Sequence, residues 1–155
     1  MSAAPLRQVF LGLGLALVAT VASAHGYKQK SIEVVHPWTF DRTEPGGRDA
    51  IVSMDIKNAG REPDRLLGAS STIAHRVEIR AAPDQSRGAD KSSSAVIGIG
   101  PASRLDLTAK GLHLRLIGLK KSLTAYDTLP VTLVFEKAGR LKIDVLVEEA
   151  SDQKN

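Results

Sequence analysis

Along most of the chain, apolar and polar residues alternate with a period of two. "SIEVVHPW" (31–38) sets Ile32, Val34, His36 and Trp38 on one side of an extended segment, and "AIVSMDIKNAG" (50–60) does the same with Val52, Met54 and Ile56 before an Asn/Gly turn. "DRLLGASS" and "HRVEIRAA" follow, the second setting Val77 and Ile79 against Arg76, Glu78 and Arg80. After the polar stretch "PDQSRGADKSSSA", expected to contain a mobile loop at "GADKSSS", come "VIGIG", "SRLDL" and "GLHLRLIGL". In the last of these, Leu112, Leu114 and Leu116 oppose His113 and Arg115. "LPVTLVFEKAGRLKIDVLVEE" reads as a hairpin turning around Lys137–Gly139. No 3.6-residue period is sustained after residue 25. Eight or so short strands with frequent turns therefore predict an all-β, antiparallel two-sheet sandwich.

The first 24 residues break this pattern. A start carrying Arg7 is followed by the apolar run "VFLGLGLALVATVA" and by "ASA" at Ala22–Ala24. This is the pattern of a cleavable secretory signal, and the run is short for a spanning helix. The expected organisation is a leader at 1–24, one β-domain at 25–148 and a solvated tail at 149–155. The mature protein would be periplasmic or secreted, with no membrane span after cleavage. The 155 residues contain no cysteine, which suits an exported protein without disulfides and rules out thiolate metal sites and cysteine nucleophiles. Loss of Arg7 lowers the formal charge from +4 to +3. With aromatics at 4% and no Lys/Arg block, nucleic acid is not an expected partner.

"EVVHPWTFDRTEPGG", "MDIKNAGREPDRLLGASS", "HRVEIR", "GLHLRLIGLKKSLTAYDTLPVTLVFEKAG" and "LKIDVLVEE" together resemble, in this order, the PCu(A)C family of periplasmic copper chaperones. The resemblance spans about residues 31–148. It implies a cupredoxin-like β-sandwich of Greek-key type, carriage of Cu(I), and delivery to a copper-receiving protein of cytochrome oxidase assembly. The family's ligands are two His-x-Met pairs and a loop methionine, soft donors that favour Cu(I). Here the first pair falls at Arg80 and Ala82, the loop position falls near Lys91, and the second pair falls at His113 and Arg115. Of that set only His113 is kept. Met54, on the apolar face of its strand, is expected in the core.

Three histidines are candidate metal ligands. His113 is the one family ligand retained, although it also reads as a solvent-facing remnant. His36 reads as a structural histidine or as a second ligand. His25 would become the first residue after cleavage, where its α-amine (pKa near 8) and imidazole can chelate together. That donor pair suits Cu(II) rather than Cu(I). His75 has the wrong strand parity and reads as surface. The alternative to copper handling is a non-metal interaction module that kept the fold and lost its cargo, with Arg80 and Arg115 forming a cationic patch for an acidic partner. An N-terminal-histidine copper oxidase is the one catalytic arrangement hinted at, but the aromatic surface such enzymes use is missing. No enzyme is expected.

Overall fold

A computed structural model describes residues 26–41, 43, 48–81, 96–108 and 111–150. The leader, His25, Ala82, the "GADKSSS" stretch and residues 151–155 lie outside the described residues.

The alternating segments form ten strands: β1 (Gly26–Gln29), β2 (Ile32–Phe40), β3 (Ala50–Asn58), β4 (Asp64–Ser70), β5 (Ala74–Ala81), β6 (Ile97–Ile99), β7 (Ser103–Leu107), β8 (Leu112–Leu119), β9 (Thr128–Phe135) and β10 (Gly139–Glu148). They join in the order β5-β8-β3-β2-β10-β9-β4-β6, with β1 added to β2 and β7 to β3. All pairings are antiparallel except β2 with β10. Two long strands change partners along their length. β3 pairs with β8 at Ala50–Val52 and with β7 from Met54 to Asn58. β2 pairs with β1 at Ile32–Val35 and with β10 at Trp38–Phe40. These switches curl the sheet, so its inner face closes on one core. Among the described residues no helix is long and apolar enough to cross a membrane.

The core is built from the alternation read in the sequence. Ile32, Val34, Val52, Ile56, Leu114, Leu116, Val131, Leu133, Ile143 and Val145 are fully or almost fully buried, and Met54 joins them. Each such side chain contributes ~1.5–3 kcal/mol relative to exposure. The hairpin between β9 and β10 turns at Glu136–Ala138, with Phe135 opposite Gly139. Buried Asp64 fastens this turn from outside the hairpin. Its Oδ1 accepts from the amides of Arg65 (2.7 Å) and Lys137 (2.9 Å), and its Oδ2 accepts from that of Ala138 (2.9 Å).

One expectation about β2 is corrected. His36 does not share a face with Ile32 and Val34: the β2–β3 register shifts between Val35 and Trp38, and His36 takes a left-handed backbone with φ 49°. The bulge reverses the parity, so Pro37 and Thr39 point inward while His36 is exposed. Gly26–Gln29 are held in place as β1, which pairs with β2. Just beyond β10, Ala150 donates its amide to Asp41 Oδ1 and the Tyr126 hydroxyl bonds the Glu149 carboxylate.

Candidate functional site

Two places carry the residues singled out in the sequence, and the sheet keeps them apart. The first lies on β5 and β8, whose register sets Arg80 directly opposite His113 and Glu78 opposite Arg115. These four residues share one side of the sheet, since Leu114, Leu116 and Ile79 occupy the other. The sheet therefore brings Arg80, His113 and Arg115, three of the positions singled out in the sequence, to one face.

His113 is not solvent-facing; it is 6% exposed. Its Nδ1 lies 3.1 Å from the Gly111 carbonyl oxygen. A carbonyl only accepts, so this hydrogen bond places a proton on Nδ1. The arginines do not form a free cationic patch either. Arg80 Nε donates to Glu78 Oε2 at 2.8 Å, and Arg76 Nε donates to Oε1 of the same carboxylate at 2.7 Å. The Arg80 hydrogen bond is the main reason the Glu78 carboxyl is held below the usual range; burial opposes it, and the Arg76 hydrogen bond adds to the lowering. Arg115 bonds Asp49 Oδ2 at 3.1 Å through Nε, while Asp49 Oδ1 accepts the Gly118 amide at 3.0 Å. The donors here are one imidazole nitrogen and two carboxylates, each already bound to guanidinium. With no sulfur among the described residues of this face, the set does not fit Cu(I). Ala82 lies beyond the described residues. His75, exposed and of opposite parity, packs over Gly118.

The second place is the β2 bulge. His36 Nε2 lies 3.2 Å from Glu148 Oε1 on β10, and its ring stands 6.5 Å from that of Trp38. Trp38 in turn meets Phe40 edge-on at 4.8 Å. A cleft of about 340 Å³ opens beside His36, lined by Tyr27, Val35, Pro37, Asp144 and Leu146 among others. A left-handed, non-glycine residue immediately before proline is a costly conformation, and such conformations gather at functional sites. On the neighbouring strand Gly26 is registered against Val35, the residue before His36. β3 separates β8 from β2, so His113 belongs to a different part of the sheet.

Among the described residues no group of three or more His, Cys, Asp or Glu side chains is gathered to hold a metal ion. The positive φ of His36 was not readable in a period-two pattern, and Glu148 was read only as part of a strand end. The pairing of Glu78 with Arg76 and Arg80 did have a signal, since "RVEIR" places all three on one strand face.

Residues 32–147 match the LpqE-like lipoprotein family. Lxx21020 of Leifsonia xyli subsp. xyli, named as a lipoprotein, is 29% identical over 153 residues, which cover 96% of this chain and 90% of that protein. Among solved structures the chain is similar to the copper-bound PCuAC domain of PmoF2, at 31% identity and TM-score 0.68, covering 81% of this chain and 98% of that domain. The apo PCuAC domain of PmoF1 gives 28% identity and TM-score 0.70 over 81% of this chain and 99% of that one. Cu(I)-bound DR1885 of Deinococcus radiodurans shares the fold at 22% identity and TM-score 0.61, over 85% of this chain and 86% of that one.

Proposed function

The chain belongs to the LpqE-like family and is a PCuAC-type protein, and on that premise we propose that it handles copper through an altered site at its amino terminus. Homology to PCuAC copper-chaperone domains supports a copper-chaperone-like role. The finer reading is ours. Export on the leader at 1–24 and cleavage after Ala24 deliver a mature chain to the periplasm or medium. His25 then supplies its α-amine and imidazole, and His36 supplies a second imidazole. The acceptor is a copper-receiving protein of oxidase assembly, as the family implies.

The observation carrying this reading is the β1–β2 register. It pairs Gly26, the residue after His25 in sequence, with Val35, the residue before His36. Nitrogen donors of this kind suit Cu(II), and an α-amine with a pKa near 8 yields its proton to Cu(II) at neutral pH. The Glu148 carboxylate beside His36 favours an incoming cation. Copper is cargo here, taken up and passed on.

A second reading, a non-metal interaction module, is favoured by one observation. Both arginines at former ligand positions are tied to carboxylates beside a buried His113. Competition titrations with Cu(II) and Cu(I) against calibrated chelators separate the two readings, using the chain that begins at His25. The proposal expects 1:1 Cu(II) binding that weakens at least 100-fold in His25→Ala, in His36→Ala and in a chain extended by one residue before His25. His113→Ala leaves it unchanged. Tight Cu(I) binding lost in His113→Ala would return the site to β5 and β8. No binding beyond that of a free histidine peptide would establish the second reading.

A further inference from the structure

We infer that a basic pocket at the far end of β8 binds a small polyvalent oxyanion of the phosphate or polycarboxylate class. Three chain segments converge there: the exit of β2 at Asp41 and Thr43, Arg48 ahead of β3, and the turn Leu119–Leu123 after β8. They enclose about 530 Å³, far more than one water occupies and ample for an anion with two or three charged groups.

The pocket's charge is one-sided. Arg48, Lys120 and Lys121 line it against Asp41 alone, and Asp41 Oδ1 already accepts the Ala150 amide at 3.0 Å. Among the described residues Arg65, Arg76, Arg80, Arg104 and Arg115 are all in ion pairs, while Arg48 and Lys121 are in none. Lys120 spends one ammonium hydrogen on the Thr72 carbonyl, at 3.0 Å, and remains exposed. The hydroxyls of Thr43 and Ser122 add donors of the right kind.

The frame is set before any ligand arrives. Leu119 donates its amide to Arg48 O at 2.7 Å, Lys120 donates to Ile73 O at 2.9 Å, and Leu119 and Leu123 are buried beneath. These bonds hold the backbones of Arg48 and Lys120, which sets the positions from which their side chains reach the pocket. A concave, rigid, cation-lined pocket fits a small anion better than it fits a flat protein surface. Arg48 offers the planar fork that takes two oxygens at once, and the lysines act as point charges. The "LKK" motif that frames it is part of the stretch most like the family, yet the copper reading leaves it unused.

The test is an amide-shift titration of the purified, metal-free protein with inorganic phosphate, citrate and acetate at constant ionic strength. Expected are saturable shifts at Thr43, Arg48 and Leu119–Leu123, with citrate or phosphate at least 10-fold tighter than acetate. Arg48→Gln with Lys121→Gln weakens that binding at least 10-fold. Arg140→Gln, which removes an unpaired surface arginine elsewhere, leaves it unchanged. Unsaturable shifts scattered over all surface cations, or full affinity in the double variant, would overturn the assignment. A polyglutamate peptide binding tighter than citrate through the same residues would also overturn it, because the ligand would then be a protein partner's carboxylates.

Discussion

Replacing His36 by glycine and, separately, by alanine pulls apart strain and ligation at the β2 bulge. Both variants lose the imidazole and its contact with Glu148. That pair is 63% exposed on the histidine side, so its loss costs at most ~1 kcal/mol. The difference between the variants lies in the backbone. At φ 49° a Cβ costs ~1–2 kcal/mol, which alanine keeps and glycine removes. Glycine in turn adds freedom to the unfolded chain, costing ~0.4–1 kcal/mol. The balance leaves the glycine variant ahead by ~0.5–1 kcal/mol, the reverse of the order at an ordinary strand position. Urea unfolding at pH 7 reads this as a higher midpoint for His36→Gly than for His36→Ala at equal slope. Cu(II) titration of the same two proteins reads equal loss of binding. An alanine midpoint at or above that of glycine would refute the claim that the bulge is strained. Retained Cu(II) affinity in either variant would refute the claim that strain is kept to present a ligand.

Three further outcomes are expected. Gly118→Ala forces a Cβ into a left-handed position (φ 67°) and to 2.6 Å from His75 Cδ2, so it lowers stability by ~2–3 kcal/mol in thermal unfolding. Adding His75→Ala removes the clash and recovers all but the strain of ~1 kcal/mol. Asp64→Ala strands three amides and costs ~3–4 kcal/mol. Burial works to raise the Asp64 carboxyl, but the amides of Lys137, Arg65 and Ala138 more than offset it, and the net displacement is downward. Its folded value is thus below its unfolded one, near 3.9. The stability it contributes is present above about pH 4 and is lost as pH falls through the lower folded value. Asp64→Asn should flatten that acid limb in a pH series of urea midpoints, and an unchanged limb would remove the carboxylate from the account. Finally, Arg80→His with Arg115→Met rebuilds two soft-metal donors around His113. Cu(I) affinity should rise at least 100-fold by chelator competition, and no gain would show that the register alone does not make a site.

The strands were legible because alternation is a local property, and nine of the ten fall on segments whose apolar residues recur at every second position. β1 was not legible: "GYKQ" offers no apolar pair, and it is a strand only because β2 presents an edge to it. The bulge at His36 was hidden for a related reason. A strict period of two assumes a constant register, and one left-handed residue before proline reverses every side chain after it. Sequence parity correctly separated His113 from the leucine face. It could not report that the second face is covered as well, because β8 is flanked by β5 and β3. Nor could it join Arg115 to Asp49, which lies 66 residues away.

The sign of the neighbouring charge, more than the presence of a histidine, decides where a cation can settle in this fold. At an effective dielectric of 20, a guanidinium 4 Å from an incoming unit charge opposes it by about 4 kcal/mol. That is close to three decades of affinity. On β5 and β8, Arg80 and Arg115 flank His113, and their carboxylates cannot serve the metal without releasing the guanidinium groups. One imidazole nitrogen does not outweigh that. At the bulge the arrangement is inverted: His36 is exposed, its nearest charged neighbour is the Glu148 carboxylate, and the cleft beside it holds Asp144. The sandwich thus carries two histidine-bearing places on separate strands, one beside two guanidinium–carboxylate pairs and the other beside the Glu148 carboxylate.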